Sequence, residues 1–333
     1  MDLALISVEF LAAAVAAGVM GFAIQRGATC TVAAVADLVA NRCARRLVSL
    51  MEAAIWVAGG LVVLQAVHGL SMMPIGYALT GWTVLGAAML GLGAFVNRAC
   101  VFGAVARFGS GHWAQAWMPV GFFAACASFK RVFAPPEPVA LASASPVLQM
   151  PQWLAALFLL FVAWRIARPL FAAGQRTQGH GPITHLRHLL QSRIWSPHAA
   201  TTVIAITFLL TLVLAGAWAY TDLLADLAQG RMARLAVRGV MVLALLVGAV
   251  WGGWSAGRFD NAPVTLADSL RSFAGGMLMG WGSLMIPGGN DSLILVGMPL
   301  LWSYAWAAFL TMGLSIALAI MLSGWLRRRQ AGA

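Results

Sequence analysis

Charge is the scarce ingredient of this chain. Only 9% of its 333 residues are Asp, Glu, Lys or Arg, while 61% are hydrophobic; soluble globular domains carry about 25% charged residues. The shortage excludes an ordinary soluble enzyme and makes the chain a membrane protein. Acidic residues are scarcer than basic ones, 10 against 21, giving a formal charge of +11. The basic side chains border apolar stretches and form no stripe with interleaved aromatics. That excludes nucleic-acid binding and matches the cytoplasmic loop bias of membrane proteins. The four cysteines, Cys30, Cys43, Cys100 and Cys126, form no C-x-x-C pair, so a disulfide framework, a thiol metal site and a dithiol redox motif are not expected. No basic segment precedes the first apolar run, which itself carries Asp2 and Glu9. It reads as a retained span and not as a cleaved secretory signal.

What fills the chain instead is apolar sequence. Runs of spanning length lie at Leu3–Ile24, Leu47–Val67, Leu79–Val96, Trp113–Ser128, Trp153–Leu170, Thr201–Tyr220, Leu235–Ser255, Leu266–Ile286 and Trp302–Leu326. They predict an all-α polytopic protein with about nine transmembrane helices. Nine spans use about 180 residues at about 20 each, which leaves one integral membrane domain and no soluble domain beside it. An odd number puts the termini on opposite sides. Arg42, Arg45 and Arg46 together with Arg327, Arg328 and Arg329 put the C-terminus in the cytoplasm and the N-terminus outside. Lys130, Arg131, Arg231, Arg234 and Arg238 then fall on the outer side, against the rule. The largest polar segment, Ala172–His198, becomes a cytoplasmic loop. It contains His180, His185, His188 and His198, but His185 and His188 have no Cys or carboxylate nearby, so a solvated loop is expected and no metal.

Between these spans lie segments too short to cross a bilayer: Gly27–Ala40, Ala99–Phe108, the turn Gly257–Pro263 and Pro287–Val296. They read as re-entrant half-helices. Irregular backbone at membrane depth is tolerated only where protein or a watery cavity covers it, and such interruptions point to a solute pathway. A repeat supports two pseudo-symmetric halves, about 1–128 and about 199–326. Gly18–Gly27 aligns with Ala249–Phe259, matching Gly21 with Gly253 and Arg26 with Arg258, and Gly91–Cys100 aligns with Gly280–Gly289.

Three constellations carry possible chemistry. Gln25, Arg26, Thr29 and Cys30 precede a short apolar helix that Thr29 is placed to cap. Asn97, Arg98 and Cys100 repeat the amide, the arginine and the thiol before another. For a small anion these offer inward N–H groups, guanidinium charge and soft sulfur; the alternative is a cysteine that merely packs. Arg26, Arg98 and Arg258 either serve the pathway or snorkel to the interface. Gly288, Gly289, Asn290, Asp291 and Ser292 follow Pro287 as the third constellation. Asn290 is expected to cap that half-helix, whose N–H groups face the pathway, and Asp291 to turn onto local backbone donors or pair with an arginine such as Arg258. Cys43 and Cys126 look inert. Glu9, Glu52 and Asp268 are isolated carboxylates within predicted spans, open to use in a proton pathway, helix pairing or boundary solvation.

Taken together, Gly21–Val35, Asn97–Gly111 and Gly288–Leu295 resemble the signature segments of the YeeE/YedE sulfur-transport family of bacterial inner-membrane proteins. The resemblance implies inward movement of a small sulfur-containing anion such as thiosulfate, past family cysteines that correspond to Cys30 and Cys100. It implies no cofactor. Where thiosulfate-type members have a third cysteine, this chain has Gly289 and Asn290, which leaves other sulfur or selenium compounds open as substrates. Two rivals remain. A membrane sulfurtransferase would form a persulfide on Cys30 or Cys100, but no general base adjoins either thiol and no nucleotide fingerprint is present. An anchoring subunit would hold a small cytoplasmic sulfur-carrier or sulfurtransferase protein through the loop 172–198.

Overall fold

The computed structural model describes residues 7–67, 74–133, 138–142, 145–175, 192, 194–232 and 235–331. Apart from an isolated bridge between Tyr77 and Ala140, the described residues are helical or irregular. Among the described residues, nine helices of 16 residues or more lie over the apolar runs: α1 (Val8–Gly27), α3 (Arg45–Ala66), α4 (Gly81–Asn97), α6 (Trp117–Val132), α7 (Trp153–Gln175), α8 (Pro197–Ala215), α10 (Leu235–Ser255), α11 (Leu266–Met285) and α13 (Ser303–Ala331). Four short ones intervene: α2 (Thr31–Asn41), α5 (Val101–Gly109), α9 (Tyr220–Ala228) and α12 (Asn290–Ser292), the last widening into a π-helical turn at Leu293–Gly297. Among the described residues, six segments are long and apolar enough to cross a membrane: 8–41, 45–66, 81–109, 197–215, 235–255 and 303–330.

The surface is inverted relative to that of a soluble protein. Leu310, Leu314 and Leu318 point outward from one face of α13, each more than 60% exposed. Their spacing of four residues puts them in one stripe along the helix. With no hydrophobic drive between helices in lipid, association depends on close backbone packing, and the glycines provide it. A Cβ on Gly21 of α1 would stand 1.9 Å from the Leu245 carbonyl oxygen of α10, and one on Gly248 would stand 1.9 Å from that of Gly18. Gly93 and Gly275 fit α4 to α11 in the same reciprocal way, each Cβ 2.7 Å from the other's carbonyl oxygen. Each aligned sequence pair therefore lies on two helices packed against each other, α1 with α10 and α4 with α11.

Four sequence expectations are corrected. The run Thr201–Tyr220 is not one helix: α8 stops at Ala215, Gly216 takes φ 84°, and a new short helix starts at Tyr220. Gly257–Pro263 is a turn with no short helix in it. His198 belongs to the first turn of α8 and not to a loop, while His180, His185 and His188 lie outside the described residues. Glu52 is not isolated, because its carboxylate takes Arg165 and His198 Nδ1, each at 2.5 Å, and binds α3 to α7 and α8. Arg231 and Arg238 both pair with Asp226, joining α9 to α10.

Candidate functional site: four short helices meeting at their N-termini

Each short helix begins just after a long one is stopped. Ala28 (φ 46°) ends α1 and Arg98 (φ 59°) ends α4, both in the left-handed region, and Gly216 turns the chain after α8. A right-handed helix cannot continue through such residues. The chain then extends through Cys30, Cys100, Ala219 or Gly289, and α2, α5, α9 or α12 starts at the next residue. Extended backbone at those positions leaves first-turn N–H groups without helical partners. No side chain of the four preceding residues caps its own helix.

The partners come from the other short helices. Thr31 N–H of α2 donates to Cys100 Sγ at 3.1 Å. Val101 N–H of α5 donates to Asn290 Oδ1 at 3.3 Å, and Asn290 Nδ2 returns to Thr31 Oγ1 at 3.5 Å. On α9, Thr221 donates twice to Asp291, from N–H at 3.2 Å and from Oγ1 at 2.6 Å. Ser292 Oγ donates to Asp222 Oδ1 at 3.2 Å. The four N-termini thus close on one another through side chains. Gly103 explains how Cys30 joins them: a Cβ there would lie 2.5 Å from Cys30 Sγ. The sulfur occupies the space the glycine leaves, within hydrogen-bonding reach of Cys100.

Two cavities reach this junction. One is lined by Gly27, Thr29, Cys30, Arg46, Ser49 and Pro197. The other is lined by Val101, Phe102, Trp218, Tyr220, Asp291 and Phe208, among others. They are offset along α8 from Pro197 to Phe208, about 16 Å at 1.5 Å per residue. Cys30 is half-buried at the first cavity, while Cys100 and Asn290, 0% and 1% exposed, lie among the bonds that lead from it to Asp291. The arrangement presents sulfur, amide and hydroxyl donors in succession, and among the described residues no cluster of His, Cys, Asp and Glu could hold a metal.

The family profile described as sulphur transport matches residues 26–318, nearly the whole chain. The chain belongs to the sulphur transport family. No curated protein matches it. This sulphur transporter is accordingly a multi-pass membrane protein that carries a sulfur compound, and its junction of short helices lies inside the matched region.

Within the sulphur transporter the predicted residues divide into two groups. Cys30, Cys100, Gly289, Asn290, Asp291 and Ser292 come together at the junction, and Thr29 lines the first cavity. The amides and arginines stand behind it. Gln25 Nε2 donates to Ser110 Oγ at 3.1 Å, and its Oε1 is buried without a partner. Asn97 Nδ2 donates to the Ala99 carbonyl at 3.0 Å and thereby braces the break before Cys100. Arg26 neither snorkels nor faces the thiols. It is 2% exposed, with its guanidinium over Phe22 and bonded to the Ser192 carbonyl and to Ser255 Oγ. Arg98 and Arg258 are exposed. Gly288, in the turn before α12, takes φ 156°.

Three local expectations fail for identifiable reasons. Thr29 does not cap α2, because Cys30 is the residue before the first turn. Asn290 does not cap α12 either: it is the first helical residue, and its amide is spent on α5 and α2. Asp291 does not pair with Arg258, although the local part of that expectation holds, since its own N–H and that of Ser292 turn onto its carboxylate. Those donors do not face the pathway free. Sequence reasoning missed Thr31, Gly103, Tyr220, Thr221 and Asp222. The signal for the last three was Gly216 inside an apolar run followed by a polar Tyr-Thr-Asp step, the same break-and-restart pattern seen at the two cysteines.

Proposed function

We propose that this transporter takes up a small sulfur-containing anion, thiosulfate fitting best, by passing it through the junction of short helices with Cys30 and Cys100 in direct contact. Helix N-terminal N–H groups supply the positive potential, and the thiols supply polarisable donors to a terminal sulfur. No turnover chemistry is required. The observation that carries this reading is the placement of Cys30 at one cavity with Cys100 directly behind it, each opening a short helix. Two related halves suit the same reading, since 1–128 contributes α2 and α5 and 199–326 contributes α9 and α12. The membrane we assign is the bacterial inner membrane, with the C-terminus cytoplasmic.

Uptake of labelled thiosulfate into cells lacking their own sulfur uptake, or into proteoliposomes, tests it. Cys30→Ala and Cys100→Ala should each lose most uptake at near-normal expression, while Cys43→Ala, exposed, and Cys126→Ala, buried against α11, keep it. Equal tolerance of all four alanine changes overturns the proposed pathway.

A further inference from the structure

Asp291 is a buried carboxylate in an unusual position. It is 3% exposed, it lines the second cavity, and it takes both the N–H and the hydroxyl of Thr221 at the start of α9. A mobile anion in that cavity would seek the same two donors, since a helix N-terminus with a threonine hydroxyl beside it is an anion-binding arrangement. Asp291 already occupies it from a different helix. Among the described residues no arginine, lysine or histidine forms an ion pair with this carboxylate.

The surrounding groups sharpen the conflict. From α9, Tyr220 and Asp222 face the carboxylate, and Asp222 accepts from Ser292. From α10, Arg238 lies near Asp222 but is committed to Asp226, which Arg231 also holds. From α13, Tyr304 feels the charge of Asp222, and the thiols of Cys100 and Cys30 belong to the other short helices of the junction. While ionised, Asp291 repels an arriving anion, Asp222 stands behind it, and among the described residues no cation is paired with Asp291. Taking up a proton removes the repulsion and, in addition, turns Asp291 from an acceptor into an O–H donor for the anion.

We propose that Asp291 is an internal stand-in for the transported anion: its carboxylate holds the α9 donors while the path is closed and surrenders them by accepting a proton as the anion arrives. This rests on the transport reading given above. The proton comes from water in the cavity and adds to a carboxylate oxygen. When the anion leaves on the side opposite to its entry, the acid releases to that same side the proton it took from the entry side, and the carboxylate reclaims Thr221. Uptake is then proton-coupled, and Asp291 also excludes solutes that cannot compete for the Thr221 donors.

The test is thiosulfate uptake by the full-length protein in proteoliposomes across a range from mildly acidic to mildly alkaline pH. Uptake by the natural protein should fall as pH rises. Asp291→Asn should flatten that profile and raise uptake at the alkaline end several-fold relative to the natural protein. Thr221→Val removes one donor from the ionised form, so the carboxylate protonates more readily and the profile should move to higher pH by about one unit, while Thr221→Ser should leave it in place. Should Asp291→Asn fail to accumulate, Thr221→Val decides. Infrared difference spectra on adding thiosulfate should show a protonated carboxyl band that Asp291→Asn lacks. Uptake with an unchanged pH profile in either Asp291→Asn or Thr221→Val overturns this proposal alone. A natural protein that moves no sulfur oxyanion at any pH overturns the transport reading and this proposal with it.

Discussion

Gly103 and Gly289 matter for what a side chain would displace. At Gly103 an added methyl would stand 2.5 Å from Cys30 Sγ, 3.0 Å from Cys30 Cβ and 3.2 Å from Ala99 Cβ. The sulfur must move, while the helix gains a better helix former than glycine. Gly103→Ala should therefore express normally and lose uptake about as far as Cys30→Ala does, measured in the same assay; normal uptake would mean that the sulfur's position is unimportant. At Gly289 the obstacle is different: a Cβ would meet Thr221 Oγ1 at 2.3 Å and Asp291 Oδ1 at 2.6 Å. A third cysteine, as the family resemblance implies for thiosulfate-type members, is better placed at residue 290, beside the α5 and α2 termini, than at 289. Asn290→Cys should sharpen preference for thiosulfate over sulfate and sulfite in competition uptake, and Gly289→Cys should instead disturb Asp291. Both cysteines and the third loop were legible in the sequence, because a thiol or a Gly-Gly step beside an interrupted apolar run is a local signal. Thr31 and Gly103 were not legible, since their roles exist only once two short helices from distant parts of the chain have met.

At the scale of elements, the long helices follow the hydropathy closely, and their ends are set by local chemistry. Ser7 accepts from Phe10 N–H to open α1, Thr80 and Thr83 form a reciprocal capping pair at α4, and Ser196 with Pro197 opens α8. What hydropathy could not separate was α8 from α9. Both are apolar, so a window average runs straight across Gly216 and only the backbone turn divides them. The crossing of α1 and α10 offers a clear test of how the long helices hold. Gly248→Val would drive its side chain into the Gly18 carbonyl, and overpacking of this kind costs about 1–3 kcal/mol. The crossing has no flexible side chain to yield, so the variant should lose most folded protein, as measured by monodispersity and melting in detergent. Gly239→Ala on the same helix meets no atom within 4 Å and should be neutral.

For the whole molecule, the order of parts follows from scarcity of charge. Ion pairs join helices at two places: Glu52 collects α7 and α8 onto α3, and Asp226 collects two arginines beside the junction. Arg231 and Arg238 are held by Asp226, whereas Arg327, Arg328 and Arg329 lie at the exposed end of α13. A reporter fused at Ala333 should signal from the cytoplasm, and one at Met1 from the opposite side. A periplasmic signal from Ala333 would reverse the assigned orientation.

The junction also has an electrical meaning. The two cavities adjoin the junction at Cys30 and at Asp291, and an anion crossing from one to the other carries its charge through whatever share of the membrane potential falls there. Moving one elementary charge through such a field involves about 2.3 kcal/mol per 100 mV, and a dianion about twice that. An anion drawn toward a negative interior moves against this gradient at the very step where it passes the thiols. Accumulation therefore needs a compensating positive charge through the same step, or rapid chemical consumption on the far side.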